Sequence, residues 1–224
     1  MISSGRYPGD DLPAPCQERR DTNTVHGQPV AGTAAGGLTP GFTRTSSCPV
    51  LTNDMWKFRG QQRPPFAEKP GANQESAWDY PRPPGIAPDR RLVEVRSGDA
   101  LLASSTRTLR VCETASPPTF YVPPEDVDME RLTPVEHHTF CEWKGEASYW
   151  ALAGAIPARP VAWSYPSPFP SFEAIRDWLC FYPGRVNCFV DGEHVRAQHS
   201  EFYGGWITAD VVGPFKGDPG TSGW

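Results

Sequence analysis

The sequence predicts a mainly β (α+β) fold: a small twisted antiparallel sheet with one helix near residues 171–182 and extended N- and C-terminal arms. Three observations predict it. The 26 prolines and 21 glycines among 224 residues are spread so widely that long helices have no room, since proline removes a backbone donor and glycine adds entropy to the unfolded chain. From Arg91 to Gln198 the chain falls into short apolar and polar runs bounded by turn formers, the pattern of half-buried strands. One segment within that stretch has helical spacing.

In chain order, residues 1–54 are rich in Gly, Pro, Thr, Ser and Ala and lack either structural period. They cannot offset an ordering entropy of about 1–2 kcal/mol per residue and are expected to form a disordered tail. Composition changes at Met55, a candidate translational start. Residues 55–88 form a Pro-rich arm with aromatic residues at Trp56, Phe58, Phe66, Trp78 and Tyr80, extended by its prolines and expected to tuck rings into the domain.

A single β domain is expected over 89–200. RLVEVRSGDALLASS reads as a hairpin turning at Ser97-Gly98-Asp99, and RTLRVCET and TFYVPP as further strands. TFCEWKGEASYWAL gives two strands around Gly145, and VAWSYP another. The helix is expected in PSFEAIRDWLCFYP, where Ser171 can cap, Phe172, Ile175, Trp178 and Leu179 share a face, and Pro183-Gly184 stop it. RVNCFVDGEHVRAQ ends the domain as a hairpin on Asp191-Gly192. Residues 201–224 make a Gly-rich C-terminal arm that packs Phe202, Trp206 and Phe215 on the sheet.

The formal charge of −5 offers no clustered basic face for phosphates, so no nucleic-acid partner is expected. Neither a secretory leader nor an apolar run of about 18 residues is present, so a cytoplasmic protein with no membrane partner is expected. The six cysteines show no close pairing and read as buried thiols.

Several strings carry a resemblance: RVCET from Arg110, PPTFYVPP from Pro117 with Asp126-Val127 after it, TFCEWKG from Thr139, Tyr149-Trp150, AWSYP from Ala162, FYPGR from Phe181 and DGE from Asp191. Together they resemble the bacterial and fungal family known as domain of unknown function number 427, sometimes labelled a nucleotidyltransferase. WDYPRPP from Trp78, FYGGW from Phe202 and GPFKG from Gly213 resemble its longer actinobacterial form. The resemblance implies a compact β fold with tent-like sheets, similar to those of certain zinc and sulfoxide-reductase domains. Those relatives hold zinc through paired CxxC knuckles; this chain has single cysteines, so no structural zinc is expected.

The densest constellation is TFCEWKGEASYW. On a strand, Glu142 and Lys144 share one face as an ion pair or as acid and anchor, with Trp143 as a stacking wall; the same pattern also suits a solvated face over a core tryptophan. Glu113, in a half-buried strand, suits a general base or ligand anchor if it faces a cleft, and an inert surface acid if it does not. Tyr121, Trp163, Tyr165, Phe181 and Tyr182 suit either a pocket wall or a core short of aliphatics. Cys141 near His137-His138 reads as a buried thiol.

These residues lead to a small-molecule-binding β domain with an aromatic cleft. Glu113, Tyr121, Glu142, Trp143, Lys144, Trp163, Tyr165 and Tyr182 are its ligand contacts, and it needs no cofactor. A nucleotidyltransferase-type enzyme, with Mg2+ held by Asp126 and Asp128, is the alternative, as is a protein-interaction module working through the arms.

Overall fold

The computed structural model describes residues 57–200, 202–221 and 224, all within one compact unit, Pro49–Trp224. The expected tail over 1–54, the start at Met55, and Trp56 lie outside the described residues.

Short strands dominate. In chain order they are β1 (Glu75–Ser76), β2 (Gly85–Asp89), β3 (Val93–Ser97), β4 (Ala100–Ser105), β5 (Thr108–Cys112), β6 (Thr119–Val122), β7 (Leu132–Cys141) and β8 (Gly145–Leu152). They continue with β9 (Pro160–Ser164), β10 (Leu179–Phe181), β11 (Asn187–Val190), β12 (Glu193–His194), β13 (Arg196–Ala197), β14 (Trp206–Ile207) and β15 (Val211–Val212). A seven-stranded antiparallel sheet runs β2-β5-β6-β10-β9-β8-β7, and a four-stranded one runs β12-β11-β3-β4.

Side-chain alternation sends the seven-stranded sheet's residues into two separate cores. One face, through Phe120, Val122, Leu179 and Phe181, packs on Val93, Val95, Leu102, Cys188 and Val190 of the smaller sheet. The other, through Tyr121, Tyr149, Trp163 and Cys180, packs on Tyr165, Phe172 and Ile175. Trp206 of the C-terminal segment completes the first core: it stacks on Phe120 at 5.0 Å and its indole N–H donates to the Phe181 carbonyl at 2.9 Å.

Both expected hairpins form. In the second, Asp191 (φ 47°) and Gly192 (φ 81°) are both left-handed, as a tight two-residue hairpin turn requires, and Asp and Gly tolerate this better than other residues. The expected helix is present only in its first half, as a 3-10 helix over Pro170–Ile175. Past it Asp177 turns left-handed (φ 61°), and Leu179–Phe181 becomes β10, bonded between β6 and β9. All three β10 side chains are buried, Leu179 and Phe181 in one core and Cys180 in the other. A strand covered on both faces is continuously apolar, and its local pattern is that of a buried helix turn.

The two flanking segments are stitched to each other. β1 pairs in parallel with β15, and the Trp78 indole N–H donates to the Pro214 carbonyl at 2.9 Å. Phe66 stacks on Trp224 at 5.1 Å, and Trp78 meets both Phe66 and Trp224 edge-on. A charged network lies beneath. Asp89 binds Arg91, Arg91 also reaches Asp210 at 2.8 Å, and Arg110 bridges Glu75 and Asp89. Among the described residues, no helix is long and apolar enough to cross a membrane.

Candidate functional site

The site is built on the second core and the turn above it. β7 ends at Cys141 and β8 begins at Gly145, so Glu142, Trp143 and Lys144 form a three-residue hairpin turn. This corrects the strand alternation expected across TFCEWKG: the ladder stops at the Cys141–Gly145 pair, and Gly145 turns back with φ 95°, a conformation glycine adopts without strain. Glu142 and Lys144 are therefore not neighbours on a pleat. The turn is anchored by the Phe169 amide, which donates to the Lys144 carbonyl at 3.1 Å.

Beneath the turn, Tyr121, Trp163, Tyr165 and Tyr182 gather into one cluster, with Trp143 packed against it. Tyr121 is fully buried, and its hydroxyl accepts from the Trp163 indole N–H at 3.2 Å. Trp163 packs on Tyr182 with ring centres 4.5 Å apart. Burial pushes the Tyr121, Tyr165 and Tyr182 hydroxyls well above the ordinary tyrosine value, so they stay protonated as donors. The C-terminal segment presses on this cluster: a Cβ added at Gly204 would sit 2.5 Å from the Trp163 ring. The aromatic members thus form a floor, and Phe181 lies on the opposite face of the sheet in the other core.

Charged members stand around the rim. The Lys144 ammonium lies 5.8 Å from the Tyr165 ring centre and 5.7 Å from that of Phe172, within cation–π range. Glu113 follows β5 and pairs with Arg82 at 3.2 Å, whose guanidinium also donates to the Thr114 carbonyl at 2.8 Å. The Glu142 carboxyl is raised above the ordinary value by partial burial and then by the Glu113 carboxylate, against the opposing pull of Lys216, Arg82 and Lys144. Glu113 and Glu142, 29 residues apart in the chain by their numbers, thus share one electrostatic neighbourhood.

Two of its cations escaped the sequence reading. Arg82 and Lys216 come from the segments before and after the sheet, and no spacing ties either to Glu142. A further feature was invisible in the sequence: the Trp143 indole nitrogen is buried and has no hydrogen-bond partner among the described residues. Buried donors are seldom left so, and each costs about 1–3 kcal/mol.

The remaining candidates fall elsewhere. Asp126 ends one 3-10 turn and Asp128 precedes the next, and both are taken up by guanidiniums, Asp126 by Arg107 and Asp128 by Arg131, each at 2.7 Å. No group of three His, Cys, Asp or Glu side chains suited to a metal ion occurs among the described residues. His137 packs on Tyr149 with centres 4.8 Å apart and His138 faces Glu146 at 3.6 Å, while Cys141 is half-buried.

Residues 85–192 match the model of a family described as domain of unknown function (DUF427), whose label is that of a nucleotidyltransferase group. No curated protein matches the chain.

Proposed function

Since residues 85–192 match the DUF427 family model, a match that carries no activity with it, we propose from the site itself that this region binds a small organic ligand at the Glu142–Lys144 turn. The Trp143 indole N–H carries the reading: it is a buried donor without an acceptor among the described residues, in the same turn as Glu142 and Lys144. A ligand carbonyl or hydroxyl accepting that proton would relieve a desolvation cost that the protein alone bears. In the same turn Glu142 offers an acceptor, Lys144 a cation and the half-buried Trp143 ring an apolar face, backed by the buried Tyr165 and Phe172 rings. A few convergent polar groups against aromatic surface is the ordinary make-up of a ligand site.

The transferase reading needs Asp126 and Asp128 free for magnesium, and their pairs with Arg107 and Arg131 argue against it.

A thermal-shift screen of metabolites tests the proposal. A ligand at about 100 times its Kd stabilises the native state by about 2.7 kcal/mol. Hits should lose most of their shift in Trp143→Phe, which keeps the ring and removes the N–H. Hits whose shift is the same in Trp143→Phe and Glu142→Gln as in the wild type would overturn it.

A further inference from the structure

A cavity of about 660 Å³ lies along the C-terminal segment, and every residue lining it falls outside residues 85–192. Its walls come from Glu68 and Gln74 of the N-terminal segment, from Arg196 and His199 on and after β13, and from the stretch Ile207 to Asp218. The volume falls within the roughly 300–1,000 Å³ usual for small-molecule sites.

Hydrogen bonds hold the walls in place. The Gln74 side-chain amide donates to the Ala209 carbonyl at 2.7 Å, and the Glu68 backbone amide to Gly213 at 2.9 Å. Gln198, only 5% exposed, accepts from the Gly205 amide at 3.0 Å and donates to the Lys216 carbonyl at 2.5 Å. Gly217 (φ 118°) brings the last turn against His199, where a Cβ would lie 2.5 Å from its carbonyl oxygen. The frame is therefore formed before any ligand arrives.

Its charges are unevenly settled. Asp218 shares a hydrogen bond with the His199 ring at 3.1 Å, whereas Arg196 has no carboxylate partner among the described residues. Val211, Val212, Pro214 and Phe215 supply apolar lining. A guanidinium is a planar fork suited to two oxygens of a carboxylate or phosphate.

We propose that this cavity is a binding site, separate from the Trp143 turn, for a small organic oxyanion whose charged group meets Arg196 and whose body lies along Val212 and Phe215. Because the flanking segments build it, it belongs to this extended chain and not to the 85–192 domain alone.

Amide-resolved NMR titration of the full chain with benzoate and, separately, with inorganic phosphate tests this. Benzoate should shift the amides of Ala197, Thr208, Val212 and Phe215. Arg196→Gln, at an exposed position that spares the fold, should weaken binding about tenfold, the loss of roughly one charge-assisted hydrogen bond. Trp143→Phe should leave it unchanged. Binding of phosphate at the same amides without benzoate would assign the phosphate-ester class, and the reverse the carboxylate class. Absence of shifts with both probes, or shifts that persist in Arg196→Gln, would overturn the proposal, and neither outcome bears on the Trp143 turn.

Discussion

Replacing Asp89 by asparagine probes how the flanking segments are held to the sheet. Asp89 is buried at the end of β2, and its carboxylate accepts from the Arg91 amide at 2.9 Å and from the Arg91 guanidinium at 3.1, 3.1 and 2.7 Å. It also faces Arg110 at 3.3 Å. The substituted side chain would keep one acceptor oxygen but present an NH2 group to two guanidiniums. Breaking a buried pair by removing one partner costs about 3–5 kcal/mol. Arg91 keeps Asp210 and Arg110 keeps Glu75, so the lower end applies, about 3 kcal/mol, or roughly 6–12 °C in Tm for a domain of this size.

The pH dependence follows. Burial alone would raise the Asp89 carboxyl, but the Arg91 hydrogen bonds and the Arg91 and Arg110 charges outweigh it and hold it below the ordinary 3.8. A depressed folded value means that the stabilisation is complete above the unfolded pKa and is lost as pH falls toward the folded one. Urea denaturation of both proteins at pH 7, 5, 4 and 3 should show a full difference at pH 7 and 5 that shrinks below about pH 4. A difference under about 1 kcal/mol at pH 7, or one that widens with acid, would contradict a buried Asp89–Arg91 pair.

Three further outcomes follow from the same geometry. Gly204→Ala should destabilise by about 1–3 kcal/mol through overpacking against Trp163, while Gly184→Ala, whose Cβ meets Ala197 at an ordinary 3.5 Å, should cost far less; equal effects in urea melts would count against the placement of the C-terminal segment. In a variant lacking Cys16 and Cys48, a thiol reagent at pH 8 should modify half-buried Cys141 well before Cys112, whose thiol burial pushes up to about 11, and before Cys180 and Cys188; mass spectrometry of the early product decides it. Glu142→Gln should leave the protein as stable at pH 7 or more so, because a raised carboxyl disfavours folding once ionised and not below its unfolded value; a variant that loses stability at pH 7 but not at pH 4 would contradict the raised carboxyl.

Local chemistry carried most of the β architecture. Asp191-Gly192 announces a hairpin because few other pairs tolerate two left-handed residues, and the Val93, Val95 alternation announces a half-buried strand because one face meets a core and the other water. The same reasoning gathered Tyr121, Trp163, Tyr165, Phe181 and Tyr182 as one aromatic set, of which the fold keeps all but Phe181 together, and the resemblance strings marked the region that contains them. Periodicity failed at Leu179-Cys180-Phe181, where neighbours on both faces of the sheet supply the burial that decides between strand and helix. It failed again at Glu142-Trp143-Lys144, since where a ladder stops depends on what the turn packs against, here the Phe169 segment. Arg82 beside Glu113, Lys216 near Glu142, the stranded Trp143 donor and the walls around Arg196 all join residues far apart in the chain. Turn and strand preferences are properties of adjacent residues and can be read from order alone. Charge pairing, cavity walls and unmet hydrogen bonds are properties of distance in space, which only the folded chain sets.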